Sequence, residues 1–149
     1  MKKENKSPTL VNKRARFEYQ LLETIEVGIV LKGTEIKSIR EGKVQMAEAF
    51  CFFRDGELWL KDMTIAHYSH GNLMNVDTTR ERKLLLSKRE IKRLKEHAEQ
   101  AGLTIVPVKL FFNERNYAKL EIALAKGKKL FDKRDDLKKK DAARDMERD

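Results

Sequence analysis

A chain of 149 residues with a net charge of +9 and a pI near 9.6 suits one folded domain with a polyanionic partner. Hydrophobic residues make up 40% and charged residues 38%, so a modest core is available beneath a densely charged surface. The single cysteine, Cys51, excludes an intrachain disulfide and a cysteine zinc cluster and fits a cytoplasmic location. No run approaches the roughly 18 apolar residues of a membrane span, and the basic N-terminus lacks the apolar core of a secretory signal.

Residues 1–12 are polar, carry Ser7-Pro8 and read as a flexible arm. Residues 13–126 alternate apolar runs with turn signals and form the folded domain. Within 17–31, Tyr19, Leu21, Glu23, Ile25, Val27, Ile29 and Leu31 recur at period two, which predicts one long strand with Gly28 at a bend or bulge. A short helix follows over Thr34–Arg40, with Thr34 as its N-cap, Ile36 and Ile39 facing the core, and Gly42 just past its end. The segment AFCFFRDGELWLKDMTI predicts two strands joined at Asp55-Gly56, a strong hairpin signal.

Ser87-Lys88-Arg89-Glu90 has the pattern of a capping box, in which serine and glutamate satisfy free backbone N–H groups reciprocally. The helix it opens has an apolar stripe of Ile91, Leu94, Ala98 and Ala101 and ends at Gly102. LTIVPVKLFF and YAKLEIALA then read as strands flanking a turn at Asn113–Asn116, with Pro107 marking an edge or bulge. Residues 127–149 hold nine Lys/Arg, seven Asp/Glu and few apolar groups, the composition of a flexible basic tail. Helices do not alternate with strands, so the fold class is mainly β with flanking helices: an OB-like antiparallel β-barrel.

Motifs for catalysis are absent: there is no G-x-S-x-G, no phosphate loop and no H-E-x-x-H. His67 and His70 have a spacing that suits either a metal, with Cys51 or Asp77 as a further ligand, or ordinary loop positions. Glu26 and Glu35 are lone carboxylates with no partner at readable spacing. No cofactor and no metal are expected, and a metal-dependent nuclease is the rival enzyme reading.

Three basic clusters carry more information. They are Lys13, Arg14 and Arg16; the run Arg80–Lys95 with Arg82, Lys83, Lys88 and Arg89; and Lys126, Lys128, Lys129, Lys133 and Arg134. One charge run is usually a solvated face, but three of one sign on a small domain point to phosphate neutralisation. Phe131, isolated in the charged tail, suits stacking on an unpaired base or capping the last strand. Membrane-surface attachment through the basic helix lacks an exposed apolar face.

Four stretches in order, NKRARFEY, KGTEIKSIREGKV, RERKLLLSKREI and ALAKGKKLFDKR, resemble the SmpB or SsrA-binding protein family over nearly the whole chain. The resemblance implies RNA binding without catalysis. The RNA is the tRNA-like domain of transfer-messenger RNA, carried to stalled ribosomes for trans-translation. The implied partners are that RNA and the ribosome, at small-subunit RNA, the decoding centre and the message channel. Elongation factor Tu and alanyl-tRNA synthetase act alongside through the RNA, and no membrane is involved.

Family RNA-contact positions fall on Asn12, Glu26 and Leu85, and the ribosome-contacting tail on Lys128, Lys129, Phe131, Asp132, Lys133 and Arg134. An amide at Asn12 suits a base edge by both donating and accepting. A carboxylate at Glu26 suits base amino groups, or else a salt bridge. Leu85 suits an unstacked base, or else the core. Thr78 stands where many relatives carry proline, and Phe17 and Phe131 where many carry histidine or tyrosine.

Overall fold

The computed structural model describes residues 8–68 and 76–128. In chain order the elements are β1 (Leu10–Val11), α1 (Lys13–Glu18), β2 (Tyr19–Ile29), α2 (Gly33–Arg40), β3 (Val44–Gln45), β4 (Phe50–Arg54) and β5 (Glu57–Lys61). They continue with β6 (Thr64–Ile65), β7 (Arg82–Leu85), α3 (Lys88–Ala101), β8 (Thr104–Phe112) and β9 (Ala118–Gly127). The architecture is mainly β with flanking helices, and every pairing is antiparallel.

The main sheet runs β8-β4-β5-β7-β2-β9, and β9 pairs again with β8, so the ladder returns on itself. β1 joins the edge of β8 at Leu110 and Lys109, past the point where β4 meets it at Ile105. Two residues of the stretch read as a loose arm, Leu10 and Val11, thus pair with the backbone of β8. β3 and β6 form a separate two-stranded ribbon.

Local chemistry explains most elements. Asp55 and Gly56 both have positive φ, 52° and 74°, as the two-residue turn between β4 and β5 requires. Ser87 caps α3: its hydroxyl accepts from Glu90 N–H at 3.2 Å, and Glu90 reaches back to Ser87 N–H at 3.4 Å. Gly102 closes α3 in the left-handed region at φ 62°. Ile91, Leu94 and Ala98 are buried as the stripe predicts, but Ala101 is exposed, since the helix end turns away with its last residue.

Two further details differ. α2 begins one residue before Thr34, with Lys32 as the capping position; Glu35, not Thr34, satisfies the free end by accepting from Lys32 N–H at 2.8 Å. The bulge in β2 lies at Leu22, where the register shifts between Leu21 and Glu23. An extra residue flips the alternation, so Tyr19 and Leu21 join a small outer cluster with Ala15, Val106 and Ala125. Ile25, Val27 and Ile29 instead enter the main core. Gly28 makes no bulge; it gives room to Leu85, whose Cβ would stand 3.1 Å from a Cβ added at Gly28.

The expected Pro107 irregularity is a bulge at Val108, between the pairs Pro107–Ile122 and Lys109–Glu121. The main core gathers Val27, Ile39, Leu58, Leu60, Met63, Leu84, Leu94, Leu110, Leu120 and Ile122 from strands and helices alike. Leu94→Ala should lower unfolding free energy by about 2–5 kcal/mol. Leu85→Ala, at a side chain 51% exposed, should change it by less than about 0.5 kcal/mol. Denaturant melts of both variants check the contrast.

Candidate nucleic-acid interface

Alternation along β7 sorts the basic run. Arg82 and Leu84 point inward at 0% exposure, while Lys83 and Leu85 face out. Arg82 is therefore corrected from an RNA contact to an interior group. Its Nε donates to Glu35 Oε2 at 2.8 Å, its Nη1 to Met63 O at 2.6 Å and its Nη2 to Thr78 O at 3.0 Å. Arg80 is partly buried and donates to Glu35 Oε1 at 2.5 Å and to Val30 O at 3.3 Å. Glu35, which showed no partner in the sequence, is thus held by two arginines from a distant segment.

Burial by itself would raise the Glu35 pKa. Hydrogen bonds from Arg80 and from Lys32 N–H, with the charge of Arg82, outweigh that and hold the carboxyl below its ordinary value. The turn at Asp77–Thr79, just before β7, forms without a proline at Thr78. Asp77 Oδ1 accepts from Thr79 N–H at 3.0 Å and from its hydroxyl at 3.1 Å, and Thr78 O accepts from Ile65 N–H at 2.9 Å.

Outside, Leu85 lies over Gly28, its register partner on β2. Glu26 is exposed two positions along the same face, opposite Glu121 on β9. Two lysines share this face: Lys119 opposite Gly28, and Lys109, whose ammonium stands 3.8 Å from Glu121. Neither falls in a basic run, so charge clustering misses both; strand parity around Pro107 and Leu120 is the signal that finds them. Lys83 faces out on β7, 3.9 Å from Glu57.

The bulged end of β2 lies under α1, a helix absent from the sequence expectations. Its Ala15 packs on Val106 and Ala125, and its Lys13 and Arg16 are exposed. Arg14 is committed to Glu18 at 2.9 Å and to Glu48. α1 and Leu85 therefore stand at two ends of one strand's outer face, roughly 20 Å apart by strand rise, with Glu26 between them. Asn12 is 4% exposed and caps α1, so its amide faces the interior.

Lys88, Arg89, Lys92 and Lys95 are exposed on α3, while Arg93 is paired with Glu23. On the first turn Lys88 and Arg89 oppose the helix dipole, and Glu90 favours it.

Lys128 N–H donates to Glu18 O at 3.0 Å and its Nζ to Arg16 O at 3.2 Å. Lys129, Phe131, Asp132, Lys133 and Arg134 lie outside the described residues, as does His70. His67 Nε2 is 2.8 Å from Val76 O. Among the described residues no three His, Cys, Asp or Glu gather as a metal site, and no helix is long and apolar enough to cross a membrane. Cys51 is buried, and burial pushes its thiol pKa up.

Because Glu35 has a depressed folded pKa, its stabilising contribution is present above the ordinary glutamate value of 4.5 and is lost as pH falls through the folded value. Glu35→Gln should therefore destabilise the protein most at neutral pH, by up to about 3–5 kcal/mol if the arginines are left unpaired. The gap from wild type should narrow as pH drops below about 4.5. Chemical denaturation of both proteins between pH 3 and pH 7 measures it.

Comparison with known proteins agrees with these features. The family model described as SmpB protein matches residues 9–149. An SsrA-binding protein of Cytophaga hutchinsonii is 54% identical over 143 residues, covering 96% of this chain and 94% of that one. One from Thermus thermophilus is 52% identical over 141 residues, covering 95% and 98%. A solved chain described as "tmRNA-SmpB: a journey to the center of the bacterial ribosome" superposes with a TM-score of 0.71 at 55% identity, over 83% of this chain and 87% of that one. With half its residues shared across nearly its whole length, the chain belongs to the SmpB protein family.

Proposed function

We propose that this chain binds the tRNA-like domain of transfer-messenger RNA and brings it to stalled ribosomes for trans-translation, acting by binding and with no catalysis of its own. The observation that carries the reading is the line of exposed and half-buried groups along the outer face of β2 and the strands beside it in a chain of this family. Lys13 and Arg16 stand at one end, Glu26, Lys109 and Lys119 in the middle, and Leu85 with Lys83 at the other. Cations at the ends suit phosphates. A carboxylate in the middle and an exposed leucine at one end suit base amino groups and an unstacked base.

The ring of strands is, in this reading, an OB-like barrel, a rigid stage for such a surface. Lys88 and Arg89 add positive potential at its rim, while Arg14 and Arg80 stand there bonded to carboxylates. Lys128, Lys129, Phe131, Asp132, Lys133 and Arg134 serve the ribosome: in a stalled ribosome they occupy the vacant message path near the decoding centre. An intact message fills that path and excludes them, which selects stalled ribosomes. Partners reached through the RNA are elongation factor Tu and alanyl-tRNA synthetase, in the cytoplasm.

Titration with a transcript of the tRNA-like domain tests the RNA surface. Affinity should fall steeply as salt rises; an affinity flat between low and moderate salt would sink the basic-surface reading. Glu26→Ala and Leu85→Asp should each weaken binding by on the order of 1–3 kcal/mol without loss of cooperative melting. Truncation after Gly127 separates the two roles. The shortened protein should keep most RNA affinity and lose peptide tagging on stalled ribosomes; full tagging by it would overturn the role given to the tail.

A further inference from the structure

Asn12 sits where three parts of the molecule meet, with nearly every hydrogen-bonding group occupied. Its Oδ1 accepts from Ala15 N–H at 3.3 Å and caps α1. Its Nδ2 donates to Pro107 O at 2.8 Å and to Met46 O at 3.2 Å. Its backbone N–H donates to Val108 O at 2.8 Å. The carbonyls of Pro107 and Val108 belong to the β8 bulge, where an extra residue leaves backbone groups out of the ladder. Asn12 takes both. Its side chain is 4% exposed, and no amide hydrogen is left for a ligand.

α1 has six residues, too few to hold a helix in water alone. What holds it is the Asn12 cap, the packing of Ala15 on Val106 and Ala125, and its continuation into β2. Lys13 follows Asn12 directly, and Arg16 is one turn on. Neither has an ion pair among the described residues, unlike Arg14. Arg16 also offers its carbonyl to Lys128 Nζ, and Glu18 offers its own to Lys128 N–H, so the same helix anchors the point where the chain leaves β9.

We propose that Asn12 is a positioning residue for RNA binding: it locks α1 onto the β8 bulge so that Lys13 and Arg16 meet phosphates, and it does not touch RNA itself. This rests on the reading that Lys13 and Arg16 face the RNA. Loss of Asn12 then acts through the cations of α1. A direct contact to a base would instead leave the number of neutralised phosphates unchanged.

The slope of log affinity against log salt counts those phosphates, about 0.7–0.9 per contact, and separates the two roles. Full-length wild type, Asn12→Ala, the Lys13→Ala/Arg16→Ala pair and the triple variant are titrated with the tRNA-like domain transcript at four salt concentrations. The pair should lower the slope by about 1–2. Asn12→Ala should lower it similarly, and the triple variant should bind within about twofold of Asn12→Ala, because the cations are already misplaced. Weaker binding by Asn12→Ala at unchanged slope, with losses that multiply in the triple variant, would overturn the proposal in favour of direct contact. Unchanged binding by Asn12→Ala would overturn it too. A pair variant with wild-type affinity and slope would show that α1 does not face the RNA, which removes the reading and this inference together. Should Asn12→Ala fail to fold, Asn12→Ser takes its place: it keeps a cap acceptor and cannot reach both Pro107 O and Met46 O.

Discussion

The buried pair of Glu35 and Arg82 is the constraint on which the outer surface depends. Glu35 arrives on the first turn of α2, Arg82 on β7, and the same guanidinium takes up the carbonyls of Met63 and Thr78. A buried ion pair is weak evidence of net stability, since desolvation offsets the attraction. Its directional bonds do something else: they admit one registration of β7 beside β2. A slip of one residue would carry Lys83 and Leu85 inward and bring Arg82 and Leu84 to the surface. The exposed leucine above Gly28 thus follows from an arginine that is sealed inside the protein.

Two bulges play a comparable part. The one at Leu22 turns the first residues of β2 outward, where Tyr19 and Leu21 form the bed for α1. The one at Val108 leaves the carbonyls that Asn12 collects. Each is one extra residue in a strand, and together they determine where a six-residue helix can sit. The position of that helix in turn sets where Lys13 and Arg16 stand and where the chain leaves β9.

The basic residues divide between carboxylates of the protein and water. Arg14, Arg80, Arg82 and Arg93 are spent on carboxylates within the protein. Lys13, Lys88, Lys92 and Lys95 stay exposed, as do Arg16, Arg40, Arg89 and Arg115, while Lys43, Lys83 and Lys109 stand within 4.0 Å of carboxylates. A planar guanidinium satisfies a carboxylate and backbone carbonyls at once, while a flexible ammonium is best left in water. The net charge of +9 is accordingly a guide to the class of partner and a poor guide to which cations meet it.

Much of the fold was legible because it is written in short-range chemistry. The Asp55-Gly56 turn, the Ser87–Glu90 capping box, Gly102 as a helix end and the irregularity at Pro107 each depend on residues within a few positions of one another. The basic runs and the four stretches shared with relatives are local patterns too. What only the tertiary structure decided depends on partners far apart along the chain. Arg82 lies 47 residues from Glu35, Asn12 lies 95 from Pro107, and Glu26 shares a face with Leu85, Lys109 and Lys119 only through strand register. Periodicity shows that a residue faces one side of a strand. Which side is water is settled only when a bulge has shifted the count and a neighbouring strand has docked.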